Sequence, residues 1–214
     1  MKTITTCVAL AALAGILAGC VSKSYDKGAA TSAALQASAN QTADLSTRVT
    51  DTLGALNNLV FKPQGDLRDQ YDQFTSAVKN LQTAADNLNA KVADMRAKAG
   101  AYFSNWSNQL SVIQSAQIRS ISAQQRENIS AKLKSVEDGY QGVKTSRQPF
   151  LSDMTDIQTA LGTDLTANGV SAVKNVVAQT KLDAVPLRDA IKKLQANFND
   201  LGAALSPVLP TDNK

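Results

Sequence analysis

The feature of this sequence that most constrains its fold is a run of apolar residues at alternating spacings of four and three. Its members are Leu67, Tyr71, Phe74, Val78, Leu81, Ala85, Leu88, Val92, Met95, Ala99, Tyr102 and Trp106. This is the heptad pattern of helices that pack side by side, because the repeat keeps one face of the helix towards its neighbour. The residues between are mainly polar, so the run predicts one long amphipathic helix with a narrow apolar face.

Two further runs, and a weaker one, predict the helices that cover this face. The second run is Leu133, Val136, Tyr140, Val143, Arg147, Phe150, Met154, Ile157 and Leu161, and the third is Val170, Val173, Val177, Thr180, Ala184, Leu187, Ile191, Leu194, Phe198, Leu201 and Leu205. The weaker run, in a segment rich in Ala, Ser and Thr, is Leu35, Leu45, Val49, Leu53, Leu56 and Val60. Pro149 and Pro186 each predict a kink, because proline lacks the N–H that a helix interior needs. Nothing in the sequence predicts a strand.

Residues that break helices separate the runs. "KPQGD" at 62–66 ends in Asp66, a residue type that caps helix N-termini well, and "GTDLTANG" at 162–169 separates the second and third runs. Residues 111–120 are compatible with a turn or a continuous helix. We favour a turn, because one helix over both runs would extend roughly 140 Å and leave its apolar faces uncovered. The predicted fold class is therefore all-α: an elongated antiparallel helical bundle or coiled coil of three to four long helices.

The N-terminal segment has the layout of a secretory signal peptide: a basic start at Lys2, an apolar run over residues 7–17, and small residues before Cys20. The run is too short to span a bilayer, which needs about 20 apolar residues. Its end, "LAGC" at 17–20, resembles the bacterial lipobox. That resemblance implies cleavage between Gly19 and Cys20 and a diacylglycerol linked to Cys20. The alternative is an ordinary signal peptide followed by a chance cysteine.

The predicted organisation has four parts: a signal peptide over 1–19, a lipidated flexible tether over 20–33, a helical bundle over 34–206 and a disordered tail over 207–214. Cys7 is removed with the signal, so the mature chain cannot form an internal disulfide. Acylation at Cys20 would make the membrane itself a partner. An Asp directly after the lipidated cysteine would resemble the inner-membrane retention signal of Gram-negative lipoproteins. This chain has Val21 at that position, which indicates the outer membrane, facing the periplasm.

The composition leaves little room for catalysis. Histidine is absent, which excludes Ser-His and Cys-His pairs and the commonest metal ligand. Carboxylates spaced by three residues occur at Asp66, Asp69 and Asp72 and at Asp153 and Asp156, and we interpret them as solvent-facing acids. We therefore predict no catalytic residue, no metal and no cofactor. The net charge of +4 comes from scattered basic residues, so nucleic acid is not an expected partner.

Three features are candidates for contacts. Phe103 and Trp106 form an aromatic group with Tyr102; core packing is the favoured interpretation, and Phe103, one position off the run, is the expected exposed member. Arg147 predicts an ion pair across helices or a device that sets their register. Lys214 resembles the attachment residue of the major peptidoglycan-linked lipoprotein, so cell-wall attachment through an extended tail is a hypothesis, with a merely solvated tail as the favoured alternative.

Several local strings carry a family resemblance. "GDLRDQYDQF" from Gly65, "FSNWSNQL" from Phe103, "RQPFL" from Arg147 and "LTANGVSAV" from Leu165 follow one another in that order behind the lipobox. Together they resemble the bacterial lipoproteins grouped as domain-of-unknown-function family 2959, over roughly residues 20–205. The resemblance implies a helical envelope lipoprotein and brings no functional residues with it.

Two classes of function are compatible with these observations. The first is a non-enzymatic envelope scaffold, anchored to the membrane, whose faces bind another envelope protein, a second copy or the cell wall. The second is a periplasmic helical module that binds a small ligand or lipid between its helices. A continuous dry core favours the first class, whereas a cavity between the helices favours the second.

Overall fold

The computed structural model describes residues 18–206, with side chains described from residue 26 onward. It contains five helices: α1 (Ala18–Phe61), α2 (Leu67–Val112), α3 (Ala116–Thr163), α4 (Ala167–Ala172) and α5 (Lys174–Leu205). At a rise of 1.5 Å per residue the four long helices extend about 50–70 Å. No strand occurs within residues 18–206. The all-α prediction is confirmed.

Short connections place consecutive long helices antiparallel to one another. α1 packs most closely against α2 and α3 against α5, α1 also packs against α5, and α2 and α3 approach each other less closely. Over the described residues the diagonal pairs, α1 with α3 and α2 with α5, make no comparable backbone approach. The four long helices therefore form an up-down-up-down ring in which each covers the apolar faces of two neighbours.

The apolar runs meet in one connected core. Fully buried members come from all four long helices, among them Leu45 and Leu56 of α1, Leu81 and Leu88 of α2, Phe150 and Leu161 of α3, and Leu187 and Ile191 of α5. Each such side chain contributes roughly 1.5–3 kcal/mol through removal of apolar surface from water. The heptad assignments of the first three runs therefore describe the faces that the structure buries.

The buried face of α1 explains why its apolar pattern is weak. Thr31, Ser38, Thr42 and Thr52 are buried there in positions where the other helices place large apolar side chains. Each hydroxyl donates to the carbonyl oxygen four residues earlier in α1, at 2.7–2.9 Å. Because these hydroxyls are satisfied within their own helix, burying them leaves no unpaired polar atom. Small side chains also let α1 approach α2 and α5 closely.

Helix boundaries agree with most of the predicted breakers. Asp66 caps α2 by accepting a 3.0 Å hydrogen bond from the Arg68 N–H, and residues 113–115 form the turn favoured between the first two runs. α3 and α5 continue through Pro149 and Pro186. The third run differs from the prediction, because α4 ends at Ala172 and α5 begins at Lys174. Its first two members therefore precede α5.

Residues 20–33 differ from the predicted flexible tether, because α1 begins at Ala18 and includes all of them. Thr31 is buried, and its hydroxyl also lies 3.3 Å from the Lys98 carbonyl oxygen of α2. Alanine at 29, 30, 33 and 34 favours helix, and α2 supplies a surface on which this helix packs. The small side chains that indicated a flexible segment are those that a close helix contact requires. Within the described residues, no helix is both long enough and apolar enough to span a membrane.

Candidate functional site

The α2–α3 hairpin extends beyond the end of α5. The side-chain amide of Asn197 in α5 donates to the Ser135 carbonyl of α3 at 2.6 Å, which sets the antiparallel register of this pair. Leu205, eight residues later, therefore lies near residue 127 of α3. Residues 100–126, here called the α2–α3 tip, project past α5 and are accompanied by the first part of α1. The tip contains both aromatic residues that the sequence singled out.

The aromatic group of the tip lies on α2, where Phe103 and Trp106 contact α3 and Tyr102 lies beside Gly28 of α1. The Tyr102 ring meets those of Phe103 and Trp106 edge to face, with centroids 5.7 and 5.5 Å apart. The Trp106 indole N–H donates to the Ser122 hydroxyl of α3 at 2.9 Å, and the Arg126 guanidinium lies over the Phe103 ring at 5.6 Å. Burial raises the pKa of the Tyr102 hydroxyl above its ordinary value. The group therefore holds the two helices together where α5 no longer contacts them.

Phe103 is not the exposed member of this group. It is half-buried, as are Tyr102 and Trp106, and both Phe103 and Trp106 pack against the core. Its position off the heptad run turns it towards α3, where Arg126 covers the ring. The heptad run of α2 could not predict that Phe103 is covered, because the covering residue, Arg126, lies in α3.

The helix ends on either side of the turn of the tip carry exposed apolar residues that sequence reasoning missed. Val112, Ile118 and Ile121 are 64%, 58% and 61% exposed. The turn itself is ordered: the Ile118 N–H donates to the Ser115 hydroxyl, and the Arg119 side chain donates to the carbonyls of Ile113 and Gln114. The sequence feature that could have predicted this surface is a lack of acidic residues: residues 95–126 are the longest segment of the sequence without Asp or Glu.

Polar and aromatic bridges join α2 and α3 along the rest of their length. The Tyr140 hydroxyl donates to the Asn89 side chain, and the Arg96 guanidinium lies 5.2 Å from the Tyr140 ring centroid and 3.4 Å from the Glu137 carboxylate. Burial raises the pKa of Tyr140, an effect that the charges of Arg96 and Arg147 partly oppose. Arg147 forms no ion pair in the part of the chain that the structure describes, so the predicted inter-helix pair is absent there.

At the opposite end of the bundle, a pocket of about 590 Å³ lies between the α1–α2 connection and α4. Its apolar lining includes Val60, Phe61, Leu67 and Val170.

Nearby, the Lys181 ammonium lies 4.4 Å from the Phe61 ring centroid and donates to the Asn57 side chain at 2.9 Å. Phe61 is 43% exposed, and Leu182 and Val185 of α5 are 63% and 51% exposed. We call Phe61, Leu182 and Val185 the distal patch.

Two of the carboxylates that the sequence singled out, Asp66 and Asp153, have structural partners. Asp66 caps α2 and pairs with Arg68, and hydrogen bonding to Arg68 holds the pKa of this carboxyl below its ordinary value. Asp153 of α3 accepts from the Thr180 hydroxyl of α5, while burial and the neighbouring Asp183 raise its pKa. The described residues contain no group of three or more candidate ligands that could hold a metal ion.

The proposed attachment points fall at or beyond the edges of the described structure. The backbone of Gly19 and Cys20 belongs to the first turn of α1, their surroundings are not described, and Lys214 lies outside the described residues. α5 ends beside the first part of α1, where Leu35 and Phe198 line a common groove. The length of the bundle therefore does not separate the end of α5 from the first part of α1.

A family model described as "Protein of unknown function (DUF2959)" matches residues 25–203. The match begins shortly after Cys20 and ends two residues before α5 does, so it covers the ring of helices except for the start of α1 and the end of α5. No curated protein and no solved structure matches the chain.

Proposed function

We propose, from the premise that the chain belongs to the DUF2959 family, that it is a membrane-anchored envelope lipoprotein acting as a non-enzymatic scaffold for protein interaction. The scaffold would be held through lipid at Cys20, in the outer membrane and facing the periplasm. Its rigid body would then present the opposite end of the bundle to another envelope protein.

The observation that carries this proposal is the continuous core. Buried side chains from all four long helices form a single cluster that runs from Leu35 and Phe198 at one end to Val170 and Leu161 at the other. A continuous core of this kind supports a stiff rod, because densely packed protein interiors resist deformation. A module that binds its ligand between helices would instead need space among these side chains.

The distal patch is the surface we assign to the protein partner. Leu182 and Val185 are three residues apart on α5, and the Lys181 ammonium, 4.4 Å from the Phe61 ring centroid, adds a cation. Because Phe61 ends α1, whereas Cys20 lies near its beginning, the patch is roughly 60 Å from the anchor along the helix. Exposed apolar residues at the end of a rod, far from its anchor, suit contact with a second protein.

A lipidation test examines the anchor. Cys20→Ser is expected to leave an unlipidated product in the soluble envelope fraction or an unprocessed precursor, measured by fractionation and mass spectrometry. Cys7→Ser is the matched control, because Cys7 would be removed with the signal peptide, and this variant should be processed normally. A Cys20→Ser protein that still fractionates as a mature lipoprotein would contradict the proposal.

A crosslinking test examines the scaffold role. A photoreactive residue at Leu182 is expected to capture one defined envelope protein in intact cells, identified by mass spectrometry. The same residue at Lys192, an exposed position nearer the middle of α5, should capture little. Equal capture patterns from the two positions would argue against a specific partner at the distal patch.

The pocket of about 590 Å³ favours the second candidate function, binding of a small ligand or lipid. Its lining combines apolar side chains with Asn168 and Lys174, which would suit a molecule with an apolar body and an anionic group. Lipid extraction of the purified protein followed by mass spectrometry tests this. A stoichiometric lipid that is lost in Val170→Asp but kept in an exposed-surface control would favour this function over the scaffold.

A further inference from the structure

We infer that the α2–α3 tip is a second membrane contact: Val112, Ile118 and Ile121 enter the headgroup region of the same lipid surface that holds Cys20. This inference rests on the proposed function, because it takes the lipid at Cys20 as the first contact. The occupant is a lipid surface with anionic headgroups. Two contacts would hold the bundle at a defined angle to the membrane, whereas the lipid anchor alone would leave it free to tilt.

The first argument is position. A Cβ at Gly28 of α1 would lie 3.5 Å from the Tyr102 ring of α2, and Thr31 is beside Lys98, so the start of α1 accompanies the end of α2. Cys20 is eight residues before Gly28, about 12 Å along the helix, and Val112 is ten residues after Tyr102, about 15 Å. The acylated residue and the turn of the tip therefore reach the same level at the same end of the bundle.

The second argument is apolar exposure. Ile118 and Ile121 are three residues apart and so share one face of α3, and Val112 is the last residue of α2 just before the turn. All three are more than half exposed, although the turn beside them is held by the Ser115 and Arg119 hydrogen bonds. Their exposure is therefore a property of an ordered surface. Burying such side chains at a bilayer interface is favourable in proportion to their apolar area.

The third argument is charge. Residues 95–126 contain no Asp or Glu and four basic residues, Arg96, Lys98, Arg119 and Arg126. Arg96 and Lys98 have acidic partners, whereas Arg119 and Arg126 have no carboxylate partner among the described residues. Asp26 of α1 is the acidic residue nearest the anchor, with Lys27 beside it. A basic residue close to an anionic leaflet is stabilised, and a surface with few acids avoids repulsion from lipid phosphates.

A second copy of the chain fits this surface less well. A stable protein interface buries about 800 Å² on each partner, with a contiguous apolar centre. The exposed apolar surface of the tip consists of Val112, Ile118 and Ile121, set among Gln and Ser residues. A lipid surface makes no such demand, because each side chain can enter the headgroup region independently.

The test uses the full lipoprotein, processed in cells and reconstituted in vesicles of phosphatidylethanolamine and phosphatidylglycerol. Ile121→Cys and the matched control Leu182→Cys, of equal exposure but at the distal end, are each labelled with an environment-sensitive thiol fluorophore. Acylated Cys20 does not react, so each label has one site. We expect a blue shift and at least twofold quenching by brominated lipid at position 121, and neither at 182.

The outcomes separate this inference from the proposed function. If the protein floats with the vesicles but position 121 behaves as 182 does, the anchor holds and the tip contact is wrong. If the protein does not float with the vesicles, the anchor itself fails. A blue shift at 121 that rises with protein density and persists in detergent would assign the surface to a second copy and overturn the inference. Ile118→Ser with Ile121→Ser should leave flotation intact while reducing quenching of Trp106 by brominated lipid.

Discussion

The apolar run of α2 extends through both the four-helix part of the bundle and the α2–α3 tip, but the two regions differ in which helices surround that run. Within the four-helix part, Leu81 and Leu88 are almost completely buried, because α1, α3 and α5 are all present. In the tip, Tyr102 and Trp106 occupy the same run but remain half-buried, because α5 has ended. A heptad pattern therefore identifies the face that packs, while the number of neighbouring helices sets how completely it is buried.

The two regions also differ in the kind of contact that joins α2 to its neighbours. In the four-helix part, α2 packs against α1 through the shared aliphatic core, and polar bridges such as that of Tyr140 with Asn89 add to this core between α2 and α3. The tip depends on directional contacts, namely the Trp106–Ser122 hydrogen bond and the stacking of Arg126 on Phe103. Directional contacts contribute about 1 kcal/mol each, less than a fully buried leucine. The tip should therefore open locally before the rest of the bundle unfolds.

The largest effect should follow from a charge in the four-helix core. Leu81→Asp would place an unpaired carboxylate at a fully buried position, which costs several kcal/mol and threatens a domain of ordinary stability. Asn80→Asp, at the exposed neighbouring position, should change the free energy of unfolding by less than about 0.5 kcal/mol. Thermal unfolding followed by circular dichroism compares them. Equal melting temperatures would contradict the assignment of the apolar face.

A smaller effect should follow at a close contact between α2 and α3. The Tyr71 hydroxyl donates to the Gln158 carbonyl at 2.9 Å, and a Cβ at Gly162 would lie 2.6 Å from the Tyr71 oxygen. Gly142→Ala has open space and should stabilise α3 by about 1 kcal/mol, whereas Gly162→Ala should be roughly 1–2 kcal/mol less favourable because Tyr71 must move.

Tyr71→Phe provides the control for that contact, because it removes the oxygen that Gly162→Ala would meet. In the Tyr71→Phe background, the two glycine substitutions should have similar effects on the free energy of unfolding, measured by urea denaturation. If the difference between them persisted without the Tyr71 hydroxyl, the close approach of α2 and α3 at this point would not be its cause.

Loss of the Trp106–Ser122 hydrogen bond should destabilise the tip locally, by about 1 kcal/mol. Trp106→Phe removes the hydrogen bond to Ser122, and Ser122→Ala removes the same bond from the other side. In a double-mutant cycle the combined variant should cost little more than either single one. Hydrogen exchange should quicken in residues 100–126 and remain unchanged near Leu81. A change spread evenly over the bundle would show that the tip and the four-helix part unfold together.

The smallest effect should depend on pH. Burial raises the folded-state pKa of Asp153 above its ordinary value of 3.8, so ionisation costs the folded protein stability as the pH rises through that range. Asp153→Asn should therefore be more stable than the parent at pH 7, by roughly a few tenths of a kcal/mol because the group is partly exposed, and equal to it below pH 3. Melting temperatures at the two pH values measure this. A variant that is less stable at pH 7 would show that the Thr180 hydrogen bond outweighs burial.

Much of the fold could be predicted because its determinants are local in sequence. The runs of α2 and α3 showed which residues pack, and Asp66 marked the start of α2. The run of α1 was weaker because buried hydroxyls such as Ser38 and Thr42 look polar in a sequence, although each is satisfied by its own helix. The same small side chains led to a flexible tether being predicted at residues 20–33, which the structure includes in α1.

The candidate sites were less predictable, because each depends on residues far apart in the chain. Phe103 is covered by Arg126 from the next helix, and the pairing of Asp153 with Thr180 crosses from α3 to α5. Nothing near Ile118 or Ile121 in the sequence shows that α5 stops before reaching them. That fact follows from helix lengths and from the register set by contacts such as Asn197 with Ser135.

By itself, the sequence determined the helical class, the apolar faces of α2 and α3, the N-cap of α2 and the family to which the chain belongs. Tertiary structure alone decided that the ring of helices closes between α1 and α5, that the α2–α3 tip projects beyond it, and that α5 ends beside the start of α1. The physical reason is the range of the forces involved. Periodicity and capping act within a few residues, whereas coverage of a face depends on where a distant helix begins, ends and aligns.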